Sequence, residues 1–181
     1  MIDNKSAFEY TMKSVEALNY LSKPLFAKFN ATNMAYCRLL KDGRRVYLST
    51  SAEWIRLYSS NNFQDHEKHS YYYAPKESID NIKHSLWSGA EEDEVFSACH
   101  FINHYHGFGF HNYNKEGEYF EFLDIGTSRE DYQFPNRCLN NLDVLSKYVE
   151  TLKKNAHFLF DHHDKRKLMV SRFIPQHFDN F

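Results

Sequence analysis

The chain has 181 residues, with 22 basic against 24 acidic side chains and a formal charge of −2, so nothing sequence-wide draws it to nucleic acid or to an anionic membrane. Aromatic residues make up 17% of it, beside 11 histidines and only 6 glycines, a composition that suits an aromatic-rich folded core and excludes a disordered chain. No apolar run reaches the length of a bilayer span, and the start, Met1-Ile2-Asp3-Asn4-Lys5, lacks the basic and apolar regions of a signal peptide; the expectation is a cytoplasmic protein that does not touch a membrane.

The length fits one domain, placed at residues 1–172, with 173–181 as the start of a linker or tail. Phe8, Met12, Val15, Leu18 and Leu21 recur every three or four residues and predict a first helix from Ser6 to Phe29, ended or interrupted by Pro24. Asn33 to Leu40 and Arg44 to Leu48 flank Lys41-Asp42-Gly43, the pattern of a β-hairpin with an Asp-Gly turn. Thr50, with Glu53 three residues on, reads as the capping box of a helix carrying Trp54 and Tyr58 at i, i+4.

Asn61 to Lys76 has no clean period and is expected to be a long aromatic loop, of the kind that forms lids. Ile79, Ile82 and Leu86 predict a helix from Glu77 to Trp87, and a further helix is expected over about Glu92 to His104, its acidic start matching the helix dipole. Gly107 to Tyr113 and Glu118 to Ile125 alternate about a turn at Asn114-Lys115-Glu116-Gly117, a second hairpin. Leu139, Leu142, Leu145, Leu152 and Leu159 mark one long final helix from Pro135 or Asn136, fraying around residues 161–167. The order predicts an α/β (α+β) protein: an α-β-α sandwich whose antiparallel, PAS- or GAF-like sheet is flanked by helices, with a ligand between sheet and central helices.

The elements and the Trp54-x-x-x-Tyr58 pair resemble the N-terminal, autoinducer-binding sensor domain of LuxR-type transcription regulators, over most of the chain. The resemblance implies a pocket for an acyl-homoserine-lactone-like signal, lined by Trp54, Tyr58, an acid at Asp65 and a second tryptophan at Trp87. In it the tyrosine and tryptophan bond carbonyls and the acid accepts the amide hydrogen. Asp65 lacks the proline that follows the acid in the family, and Glu67 is its nearest competitor. Tyr36 from the first hairpin and Phe110 from the second complete the candidate lining. The same resemblance implies the partners: a homodimer, and DNA contacted only through a C-terminal helix-turn-helix domain that is expected to be absent from this chain.

Other chemistry finds little support. His100 and His104 share a helix face, yet no H-E-x-x-H pattern accompanies them, and a zinc site needs three or four ligands. Cys37, Cys99 and Cys138 form neither a disulfide framework nor a CxxC pair and read as buried thiols. No serine sits in a G-x-S-x-G elbow, and Gly107-x-Gly109 lacks a third glycine, so neither a catalytic nucleophile nor a phosphate loop is expected. His162-His163-Asp164 and Lys165-Arg166-Lys167 read as a solvated helix end. Two functions remain, both without metal, cofactor or catalysis: a sensor of a small apolar signal, or a ligand-free interaction domain whose aromatics fill the core.

Overall fold

The computed structural model describes residues 4–65, 83–86, 94–114 and 119–171. In chain order its elements are α1 (Asn4–Phe29), β1 (Asn33–Leu40), β2 (Arg44–Ser49), α2 (Ala52–Ser60), a 3-10 turn (Phe63–Asp65), β3 (Lys83–Leu86), α3 (Glu94–Phe101), β4 (Tyr105–Asn114), β5 (Tyr119–Thr127), α4 (Phe134–Leu139), α5 (Leu142–Asn155), a 3-10 turn (Lys165–Lys167) and β6 (Leu168–Val170). The strands form one six-stranded antiparallel sheet in the order β3-β4-β5-β1-β2-β6, with helices on both faces. The chain is thus α+β, as its element order implies.

The Asp42-Gly43 turn sets the register of the first hairpin. Gly43 takes φ 83°, a backbone region open to glycine, and pairs Leu39 with Arg45 and Cys37 with Tyr47. Strand alternation then divides the core into two layers. Met34, Tyr36, Val46, Leu48, Phe108, Phe110, Leu123 and Ile125 pack against Leu18, Leu25 and Phe29 of α1, Phe134 of α4, and Leu145, Val149 and Leu152 of α5. On the other face Cys37, Leu39, Tyr47, Phe120 and Phe122 meet Trp54 and Tyr58 of α2, Phe63, and Val95 and Cys99 of α3. All three cysteines are buried free thiols.

The β2 side of the sheet is closed by α1. The β6 ladder covers only Arg44 to Val46 of β2; beyond it Thr11 donates to the Tyr47 carbonyl at 2.8 Å and Asn19 to the Thr50 carbonyl at 2.7 Å. Side chains of one helix thereby satisfy an edge that would otherwise invite pairing with another chain.

Five expectations need correction. Pro24 does not end α1, which runs its 26 residues straight through; the proline lies on the exposed face while Leu25 and Phe29 stay buried, so packing offsets the lost hydrogen bond. The cap of α2 is Ser51, whose hydroxyl accepts from Trp54 N at 3.1 Å, because Thr50 is occupied in accepting from Met34 N at 2.8 Å. Within the expected helix of residues 77–87, Lys83–Leu86 is an edge strand on β4, and the remainder lies outside the described residues. The final helix is two, broken at Asn140-Asn141, residues that compete with helix geometry through their own side chains: Asn141 Nδ2 donates back to the Arg137 carbonyl at 2.9 Å.

The segment expected to fray is instead ordered. His162 packs on the Tyr119 ring, Lys167 is buried and donates to the Phe158 carbonyl at 2.6 Å, and β6 adds to the sheet. No helix among the described residues is long and apolar enough to cross a membrane, and none of their histidine, cysteine and carboxylate side chains group in threes as a metal site would require.

Candidate functional site

The sheet separates Trp54 and Tyr58 from Tyr36 and Phe110. Trp54 and Tyr58 lie together on one face, one helical turn apart, and are 4% and 1% exposed. Tyr47 of β2 stacks on Tyr58 with ring centroids 4.2 Å apart and planes within 8°. Phe63, carried under α2 by the 3-10 turn, lies 5.9 Å from Trp54 and 6.2 Å from Tyr58. The two Phe63 pairs fall in the range of favourable aromatic packing, and the tyrosine stack is closer still. Asp65 ends that same turn, half-buried, its N–H bonded to the Asn62 carbonyl at 2.9 Å. Trp87 and Glu67 lie outside the described residues, as does the expected loop from residue 66 onward.

The polar tips on this face are joined by hydrogen bonds. Trp54 Nε1 donates to Tyr47 Oη at 2.5 Å, and Arg45 Nη1 donates to Tyr58 Oη at 3.4 Å. Arg45 is fully buried; its Nη2 also donates to the Gln64 carbonyl at 3.2 Å, an oxygen that accepts from Ser171 Oγ at 2.6 Å. Arg45 and Tyr47 were not among the residues singled out by pattern. A signal for them existed in the hairpin register, which sets both opposite apolar partners, Leu39 and Cys37, on one buried face.

Tyr36 and Phe110 are together on the opposite face. With Glu121, Asn112, Ser146 and Lys153 they line a cavity of ≈ 50 Å³ between the sheet and α5. That volume holds a few waters, since one needs roughly 10–15 Å³ measured in this way, and it is far too small for an acyl chain. Glu121 is the centre of a buried ionic group. Tyr36 Oη donates to its Oε1 at 2.5 Å, Arg38 Nη2 to the same oxygen at 2.8 Å, and Lys153 Nζ pairs with Oε2.

Burial pushes the Glu121 carboxyl upward, yet Lys153 and the hydrogen bonds from Lys153, Tyr36 and Arg38 outweigh it and hold the group below the usual carboxylate value. Burial and the neighbouring Glu121 charge raise the Tyr36 phenol well above its ordinary value, so it stays protonated and donates. Arg38 extends the group to the surface: it reaches the Phe160 carbonyl at 3.0 Å and His162 Nδ1 at 3.1 Å, and lies over the Tyr119 ring at 4.3 Å. Every polar partner named here is a protein group, and the arrangement ties the turn after α5 to the sheet.

No protein-family model matches the chain, and no curated protein matches it. Solved structures do. Escherichia coli SdiA superposes with a TM-score of 0.54 at 10% sequence identity, over 88% of this chain and 70% of the SdiA chain. CepR2 from Burkholderia cenocepacia, described as an N-acylhomoserine lactone dependent LuxR family transcription factor, superposes with a TM-score of 0.51 at 12% identity, over 85% of this chain and 91% of its own. At these identities the likeness is one of fold: over most of its length this chain shares its fold with SdiA and with the LuxR-family factor CepR2.

Proposed function

We propose that this chain is a non-catalytic sensor domain that binds a small acyl-bearing signal, of the acyl-homoserine-lactone type, on the face of the sheet beneath α2. The observation that carries the reading is the Trp54–Tyr58 pair: two large apolar walls whose polar tips converge with Tyr47 and Arg45 inside an otherwise apolar layer. Such a setting, apolar lining with a few directed polar groups, is what small-molecule sites use. The shared fold supports it, as does the lactone dependence stated for CepR2. Within this reading Asp65 accepts a ligand N–H and Trp87 supplies a second wall. Tyr36 and Phe110 belong to the opposite face, and this reading leaves them out of the site. Ligand binding would favour one arrangement of a homodimer, or of an appended DNA-binding domain, by binding that arrangement better.

Thermal unfolding with and without a panel of acyl-homoserine lactones tests this, because a ligand that binds only the folded chain raises its midpoint. A rise is expected, and Tyr58→Phe should weaken binding of a carbonyl-bearing ligand by about 1 kcal/mol. A second reading, a ligand-free dimerisation domain, is favoured by one observation: Trp54 Nε1 and Tyr58 Oη already have partners within the protein. A well-folded chain whose midpoint no lactone moves would establish that reading in place of the first.

A further inference from the structure

On the side of the sheet away from Trp54 and Tyr58, α1 and α5 enclose a groove that opens to solvent. The two helices run antiparallel: Phe29 at the end of α1 meets the Tyr148 ring edge-on at 6.2 Å, and Tyr10 donates to the Leu159 carbonyl beyond the far end of α5 at 3.0 Å. The groove between them measures ≈ 180 Å³. Its floor is Leu25 and Leu152, both buried, with half-buried Leu21 and Tyr148. Its rim is exposed: Pro24 on α1, and Lys147, Thr151 and Asn155 on α5. An apolar cavity of about 150 Å³ is enough to hold a benzene ring. From Lys147 to Asn155 the α5 wall spans about 12 Å at the helical rise, the length of a ring with a short chain.

Two residues give the groove its chemistry. Proline in a helix interior removes a hydrogen bond, and the Pro24 ring supplies in exchange an apolar side to the groove on α1. Lys147 is the only charged residue that lines the groove among the described residues. Asp143 and Glu150 lie one turn from it on α5, yet among the described residues it forms no ion pair with either or with any other carboxylate. An unpaired cation therefore stands at one end of an apolar trough.

We propose that this groove is a binding site, separate from the one proposed beneath α2, for a small organic acid whose aromatic or short aliphatic body lies between Pro24 and Leu152 and whose carboxylate meets Lys147. An apolar lining with one directed polar group is the usual make-up of a small-molecule site. The site does not depend on the sensor reading, since its walls belong to the opposite layer of the core.

Hydrocinnamate and the matching alcohol, which keeps the ring and chain without the charge, test this by NMR titration of the isotope-labelled chain at neutral pH. Both should bind with millimolar Kd, as suits ligands of about a dozen heavy atoms. The acid should bind about fivefold tighter, the upper size of an exposed ion pair. The amides that shift should be those around Leu21 and Leu25 and from Lys147 to Asn155. Lys147→Met should bring the acid down to the alcohol's level and leave the alcohol unchanged. Pro24→Ala, which favours the helix itself, should weaken both by about threefold through lost apolar contact. Thr151→Trp, which fills the trough from an exposed position, should abolish both.

An acid no tighter than the alcohol on the wild-type chain overturns the proposal, and that comparison decides it even if a variant does not fold. So do shifts confined to residues outside the groove, or an acid preference that survives Lys147→Met. A dimer that Thr151→Trp dissociates, while neither probe binds, would give the groove to a second copy of the chain and overturn the proposal as well. None of these results bears on lactone binding beneath α2, which the thermal panel above measures separately.

Discussion

The two faces of the sheet handle buried polar groups in opposite ways. Beneath α5, Glu121 gathers Tyr36, Arg38 and Lys153 into an ionic group in which opposite charges meet. Beneath α2, the polar atoms include the tips of stacked aromatics and of one buried arginine, joined to one another by hydrogen bonds. The first arrangement locks, since each of its members holds another in place. The second sets hydrogen-bonded polar tips within an apolar aromatic layer. The α5 face is thus held by paired charges and the α2 face by aromatic packing.

This comparison can be broken in several places. The largest effect should come from Trp54→Ala, expected to cost about 4 kcal/mol in urea unfolding if the α2 face is packed as tightly as its burial indicates. A loss below about 1 kcal/mol would show that the indole is not part of a close-packed layer. Glu121→Ala should cost about 3 kcal/mol, because Arg38 and Lys153 are left without their counter-charge, while the lactone affinity of the site proposed at the α2 face stays unchanged. A change in affinity would mean that the two faces are coupled.

Acid should act on both faces in separate windows. Burial pushes His104, at the junction of α3 and β4, down to about 4, so the fold keeps it neutral where the unfolded chain takes up a proton. Stability should therefore fall as pH drops from the ordinary histidine value of about 6.5 towards 4. The lowered Glu121 carboxyl contributes stability that is complete above the unfolded value of about 4.3 and is lost as pH falls through its folded value. Urea midpoints measured across pH should lose the upper limb in His104→Gln and the lower limb in Glu121→Gln. The smallest effect concerns the helix that carries the pair: Ser51→Ala should cost about 1 kcal/mol through loss of the cap.

Much of this protein was legible in its sequence, for local reasons. The bounds of β1, the Asp42-Gly43 turn, the existence of α2 and the second hairpin follow from turn chemistry and periodicity, which act between neighbours in the chain. The Trp54–Tyr58 pairing follows from helix geometry alone. Choices between two locally acceptable answers were decided elsewhere. Lys83–Leu86 fits a helix or a strand by spacing, and the open edge of β4 made it a strand. Thr50 was the expected cap, and the Met34 N–H drew it away and left the cap to Ser51. Pro24 would end an isolated helix, and burial of Leu25 and Phe29 carried α1 past it.

The division of the candidate residues belongs to the tertiary structure as well. Tyr36 and Phe110 carry nothing in their sequence neighbourhood that separates them from Trp54 and Tyr58; only the register of β1, β4 and β5 sends them to the other side of the sheet. Arg45 and Tyr47 illustrate the converse, since an arginine in a hairpin strand reads as solvent-facing until helices are known to cover both faces. The sequence by itself determined the elements and one aromatic pair, because short-range sterics and hydrogen bonding suffice for them. Which polar groups meet, and on which face, was decided only when strands distant in the chain were brought into register.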